Sequence, residues 1–376
     1  MFFNNTFNRL AIAASFIFIS LSLIAEPTLE EVVVSARKVD ENLQDVPIAM
    51  SVFTSSDIED AGIQRPEDFI ALTPNVVMAN TVNVGDTLVT IRGLTSTRDA
   101  ESNFAFVVDG VLQTNPNAFN RELLDIAQIE VLKGPQGALY GRNATSGAIL
   151  ITTKAPSEES ESTAVVGMGV NNSTKLQFVN SGKMGENVYT RFSVSTRDTD
   201  GEHTNVFSNS NNVDHFEDTT IRTRFLVDNG DSSWDLRAGI SEASGGTINF
   251  NAVFALPAFQ GFGTPGADQF YKDVNTHQFT YMFNVPPVNE QETADISLKY
   301  TEDMGDGREF SAILAYNHLE EFLLSDGTSG AFGGYFGVPS CAASNTASNL
   351  ALINSLPPGF SFAAPGTAPS AANSVL

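Results

Sequence analysis

Residues Ile129 to Lys154 read IEVLKGPQGALYGRNATSGAILITTK, and this stretch decides the fold. Its pattern is a short strand, Ile129–Leu132, a turn punctuated by Gly134, Gly137 and Gly141, and a second strand, Ala148–Thr153. Glycines with Pro135 among them let the main chain take positive φ and reverse sharply. Ala148–Thr153 is apolar on both faces, which predicts a buried strand. A phosphate cradle does not fit: neither GxxxxGK[ST] nor GxGxxG is present, and Lys133 precedes the loop instead of closing it. The pattern alone gives a hairpin in a mixed α/β domain.

Composition narrows the classes around it. Asp and Glu number 44 against 20 Lys and Arg, a formal net charge of −24, so a nucleic-acid partner is excluded for want of groups to neutralise phosphates. Arg9, the apolar or small run Leu10–Ile24 and then Ala25 have the layout of a secretory signal peptide over residues 1–25, too short and wrongly flanked for a membrane helix. Beyond it no apolar run reaches the ~20 residues of a spanning helix. A membrane location would therefore require a β-barrel, the other structure that satisfies its backbone in lipid. The single cysteine, Cys341, excludes an internal disulfide.

With its fixed Gly, Arg and Tyr positions, IEVLKGPQGALYGRNATSGAI resembles the end of the plug domain of TonB-dependent outer-membrane receptors. That resemblance organises the rest of the chain. Val32–Val34 is a β-branched run with no strand partner in reach, suited to adding to another protein's sheet edge. The resemblance implies that Glu30, Glu31, Val32, Val33, Val34, Ser35 and Ala36 form the TonB box, with residues 26–44 as box and polar linker and 45–156 as plug. Within the plug, Val46–Val52 alternates as a strand. Ser55-Ser56-Asp57 offers a helix N-cap, and Pro66–Leu72 a second short helix. Thr87–Ile91 leads into Arg92-Gly93, and Phe104–Val108 into Asp109-Gly110, a tight-turn signal; these match the family's IRG and VDGV strands. Leu123–Ile126 reads as a helical turn.

After the acidic linker Ala155–Ser162 the texture changes to alternating segments: Thr163–Val170, Lys175–Gly182, Val188–Thr196, Thr219–Val227, Trp234–Ser241, Ala294–Tyr300 and Phe310–Leu319. A soluble β-sandwich alternates in the same way. After the first hairpin, however, short and long connections alternate, as they do between the two ends of an outer-membrane barrel. The expected fold is an α+β plug followed, over 157–376, by the start of an antiparallel transmembrane β-barrel. Family barrels of about 22 strands need far more chain than seven segments supply. The expectation is therefore a fragment or truncated receptor.

No catalytic constellation is present. His203, His215, His277 and His318 are scattered without metal-ligand spacing, no GxSxG elbow exists, and no metal or cofactor is expected. Arg92, Glu130, Lys133 and Arg142 stand at plug-motif positions in apolar surroundings, and the resemblance implies that they lock the plug to the barrel wall through acid–base pairs. Candidate ligand contacts are Arg98, Asn103, Gln113 and Phe119 in plug loops, and Phe254, Phe259, Phe262, Tyr271 and Tyr281 in a long barrel loop; aromatics with a few polar groups suit a large amphipathic solute, or pack the loop on itself. The resemblance implies a receptor in the outer membrane of a Gram-negative bacterium, embedded in outer-membrane lipid and driven by TonB. It would take up a scarce solute, by family default a ferric siderophore, with haem, vitamin and oligosaccharide as alternatives. A non-functional truncated receptor remains the other reading.

Overall fold

A computed structural model of the chain describes residues 32–39, 41–80, 85, 87–97, 100–205, 209–210, 213–246 and 287–324. The expected signal peptide, Glu30, Glu31 and Cys341 lie outside these residues. The chain divides into two units, Met1–Pro47 and Ile48–Leu376.

In the first unit, β1 (Val33–Val34) pairs antiparallel with β2 (Glu41–Asn42), and the Leu43 N–H donates to the Val32 carbonyl at 2.9 Å. Lys38, at φ 62°, turns the chain back, and Arg37 bridges Glu41 at 3.0 Å. The strand expected to stand alone thus has a partner, drawn from the stretch expected to be a linker.

The second unit opens with β3 (Met50–Thr54) and α1 (Ser55–Asp60). Its cap is Thr54, one residue before the expected position, in a reciprocal capping box with Asp57. There follow α2 (Pro66–Ala71), β4 (Val76–Asn80), β5 (Thr87–Ile91), β6 (Leu94–Thr95), β7 (Phe104–Val108), β8 (Val111–Gln113), β9 (Ile126–Lys133), α3 (Gly137–Tyr140) and β10 (Gly147–Thr153). The main sheet runs β3-β9-β10-β7-β8, with only β10 and β7 parallel, and β4-β5-β6 form a smaller sheet. Arg92-Gly93 and Asp109-Gly110 have positive φ at both positions, the mirror-image turn that suits strand twist.

The stretch that decided the fold pairs as expected, Ala148 opposite Leu132 and Ile151 opposite Ile129. Gly134 and Gly141 take φ of 108° and 74°. A Cβ on Gly147 would overlap the Leu132 carbonyl oxygen, so close strand approach excludes any side chain there. Gly137 instead begins the one-turn helix α3 within the loop. The core gathers Phe69, Ile91, Ile129, Val131 and Ile149, all fully buried, between sheet and helices.

The wall is a seven-stranded meander: β11 (Glu161–Met168), β12 (Thr174–Lys183), β13 (Val188–Thr199), β14 (Phe216–Asp228), β15 (Ser232–Gly245), β16 (Val288–Asp303) and β17 (Glu309–Leu324). All seven expected segments become strands. Most run longer than expected because their ends are polar and gave no alternation signal. Register puts Arg191, Ser193, Asp218, Asp235 and Gln291 on one face, with Phe192, Phe225, Leu236 and Leu298 on the other. Every lysine and arginine of β11–β17 falls on the first face, where a cation avoids lipid. The second face is an apolar band, closed at the short-turn end by Trp234, Tyr300 and Phe310, with ring centroids 4.6 and 6.4 Å apart. Such a girdle marks a membrane–water boundary. No helix among the described residues is long and apolar enough to cross a membrane, which says nothing of strands.

Candidate functional site

The plug meets the polar face of the wall chiefly along one short segment, Asn117–Ile126, with further contacts at Asp109, Gln113, Thr153 and Lys154. Asn115 accepts from the Asn117 N–H at 3.0 Å and starts a single 3-10 turn, Pro116–Ala118. Phe119 then drops into the plug core, edge-on to Phe69, Phe104 and Phe106 at 5.1–6.5 Å. With Phe119 anchored at one end and Ile126 at the other, the charged side chains between them face the wall. The helical turn expected at Leu123–Ile126 does not form. Asp125 sits at φ 58°, and the segment's main chain bonds away from itself: Leu123 N–H donates to the Gln64 carbonyl, the Asp125 carbonyl accepts from Lys154 N–H, and the Leu124 carbonyl accepts from Arg222 of the wall.

Each charge has a wall partner. Arg121 Nη1 lies 2.8 Å from Asp295 Oδ2, and Asn317 donates to the other Asp295 oxygen at 2.6 Å. Glu122, whose side chain is 1% exposed, takes Lys175 Nζ at 3.1 Å with Arg197 at 3.7 Å. Asp125 holds Arg191 bidentately at 2.5 and 2.7 Å and accepts from Ser193 Oγ at 2.6 Å. Asn117 adds a hydrogen bond to Glu321 at 2.6 Å. Buried pairs of this kind stabilise little against an apolar contact. Removing one partner costs about 3–5 kcal/mol, because the other charge is left unmatched.

The four residues expected to form the lock make the following contacts within the plug, and not with the seven described wall strands. Arg142 pairs with Glu101, another plug residue, at 3.2 Å on an exposed surface. Lys133 Nζ donates to Ser51 Oγ at 2.9 Å and the Pro74 carbonyl at 3.3 Å, inside the plug. Burial, and then the nearby Arg92, lower its pKa. Arg92 is exposed in its turn, its guanidinium beside Gly134. Glu130 is buried on β9 and accepts from Gln128 at 3.2 Å; burial and then the Glu130 charge raise the Tyr140 pKa. These residues tie the plug to itself.

The ligand candidates divide in the same way. Phe119 is a core anchor, not a loop contact. Asn103 is committed to plug structure, accepting from Ser96 and Ser146 and donating to the Leu94 carbonyl. Gln113 reaches the wall, accepting from Asn317 at 3.3 Å. Arg98, Phe254, Phe259, Phe262, Tyr271 and Tyr281 lie outside the described residues. Among the described residues no group of His, Cys, Asp and Glu could hold a metal ion. The residues that reasoning from sequence missed, Arg121, Glu122 and Asp125, did leave a signal: three charges within Phe119–Ile126, a stretch bounded by two core side chains.

Comparison with known proteins bears on this arrangement. The family model of the TonB-dependent receptor plug domain matches residues 42–148. The pesticin receptor of Yersinia enterocolitica is 24% identical over 213 residues, covering 56% of this chain and 31% of that protein. The vitamin B12 transporter BtuB of Vibrio vulnificus is 26% identical over 200 residues, covering 52% of this chain and 32% of that protein. The chain thus spans about a third of the length of the curated relatives it matches. Among solved structures, the ferric yersiniabactin uptake receptor FyuA of Yersinia pestis superposes with a TM-score of 0.61 at 19% identity, over 74% of this chain and 42% of that one. The ferripyoverdine receptor of Pseudomonas aeruginosa gives 0.61 at 18%, over 76% and 36%.

Proposed function

Since the chain carries the plug domain of a TonB-dependent receptor and the first strands of the barrel around it, we propose that it serves energy-coupled solute uptake across the outer membrane of a Gram-negative bacterium. TonB pairs with the box, Glu30–Ala36, as an added strand and pulls. The plug shifts against the wall, and bound solute passes inward. The apolar outer face of β11–β17 sits in lipid.

The observation that carries this reading is the charged seam. The plug is held to the wall by ion pairs and hydrogen bonds, each replaceable by water, and not by a fused apolar core. A surface built that way can part and re-form. A ferric siderophore is the favoured solute, supported by the solved receptors whose names specify one. A vitamin is the second reading, favoured by the B12 transporter among the relatives. The test is uptake by cells lacking their other receptors, with iron–siderophore complexes and cobalamin supplied separately. Uptake that is lost on collapsing the proton-motive force, and lost again in Val34→Pro, supports the reading. Uptake indifferent to both overturns it.

A further inference from the structure

Three arginines stand in one cross-strand row on the plug-facing side of the wall. Arg191 on β13 is opposite Arg224 on β14, which is opposite Arg237 on β15. Like charges directly opposite on neighbouring strands repel, and a guanidinium does not shed its proton. The row is quieted from both sides, by the plug and by acids of the wall. Arg224 Nη1 donates to the carbonyls of Thr153 and Lys154 at 3.3 and 3.1 Å, and Arg237 Nη1 to that of Asp109 at 3.0 Å. Asp125 holds Arg191. One row further on, Arg222 donates to the Leu124 carbonyl at 2.7 Å and has no ion-pair partner among the described residues. On the wall itself, Asp235 binds both Arg224 and Arg237 at 2.6–2.9 Å, Asp295 holds the plug's Arg121, and Glu161, half-exposed on the edge strand, meets Arg191. When the plug shifts, Asp109, Asp125 and every carbonyl leave with it. A cavity of about 110 Å³ already lies between plug and wall here, lined by Arg191, Arg222, Arg224 and Arg237.

We propose that this arginine row is the lumen surface a solute meets once the plug moves, and that it makes the passage selective for anions presenting carboxylate or phosphate oxygens. The proposal rests on the reading of the chain as a receptor with a movable plug. Guanidinium forks match such oxygens bidentately. The groups released by the plug's carbonyls exchange them for the solute's oxygens, so no arginine is left bare during passage. Rings of arginine or lysine confer anion preference on pores by the same electrostatics.

The test uses the protein extracted from outer membranes and placed in planar bilayers, with urea added to loosen the plug and chloride and potassium as the probe ions. Wild type should pass chloride over potassium. The triple variant Arg191→Gln, Arg224→Gln, Arg237→Gln keeps donors for the carbonyls but loses the charge, and should lower the chloride-to-potassium permeability ratio by roughly threefold or more. Arg222→Gln, which has no ion pair to lose, should lower it part-way and serves if the triple variant does not assemble. Arg308→Gln, in an exposed turn, should leave it unchanged. A cation-preferring wild type, or a ratio unmoved in the variants, overturns the proposal. A wild type that conducts at no urea concentration removes the receptor reading beneath it, a result distinct from either.

Discussion

β10 and β17 are both strands rich in apolar residues, and they hide them to opposite extents. In β10 the run Gly147–Ile151 is buried throughout, whereas β17 is exposed along nearly its whole length. The plug sheet hides its apolar atoms inside, in a core around Phe69, Ile129 and Ile149. The wall turns Phe192, Phe225 and Leu236 outward and keeps its lysines and arginines within. Two sheets with opposite interiors cannot meet through an apolar surface. The seam between them has to be polar, and its strength is set by how completely each charge is matched.

That contrast can be broken most severely at the plug's anchor. Phe119→Ala removes the ring around which Phe69, Phe104 and Phe106 pack, and should destabilise the plug by about 3–5 kcal/mol, read as a lower urea midpoint for protease protection of the plug in membranes. Asp125→Ala takes the bidentate partner from buried Arg191, leaving it only the half-exposed Glu161, and should cost about 3 kcal/mol in the same assay. Combining it with Arg191→Met should recover part of that loss, since the double change leaves no orphaned charge. On the wall, Leu236→Lys places a cation in the apolar band and should cost about 2–4 kcal/mol of barrel stability, measured by denaturant unfolding in detergent or bilayer. Arg142→Ala removes an exposed pair inside the plug and should cost less than about 1 kcal/mol, with plug retention unchanged. A large effect there would restore Arg142 to the lock.

The same contrast explains what could be read from the chain. Glycine turns and period-two alternation are local signals, so β9, the loop after it, β10 and all seven wall segments stood out in the sequence. The first hairpin, β1–β2, did not, because two residue pairs give no periodicity and the turn relies on Lys38 at positive φ. The seam did not stand out either. Arg191 lies 66 residues from Asp125, and Asp295 lies 174 from Arg121. Pairings at that range depend on which side of a strand each residue faces and at what height. Phe119 misled for a related reason: a phenylalanine in a polar, Asn-rich loop looks like a ligand contact until the chain is seen to fold it back into the core.

The wall arginines take hold of the plug mostly by its carbonyls at Asp109, Leu124, Thr153 and Lys154. Every residue has a carbonyl, whatever its side chain. At Leu124, Thr153 and Lys154 mutation can replace the side chain without touching the contact, so the two halves of the interface are free to drift apart in sequence. Asp109, Gln113, Asn117, Arg121, Glu122 and Asp125, which meet the wall through their side chains, are bound to their identity. A swap of plugs between such proteins would then be judged by backbone path and by those few polar side chains, and less by the rest of the sequence at the contact.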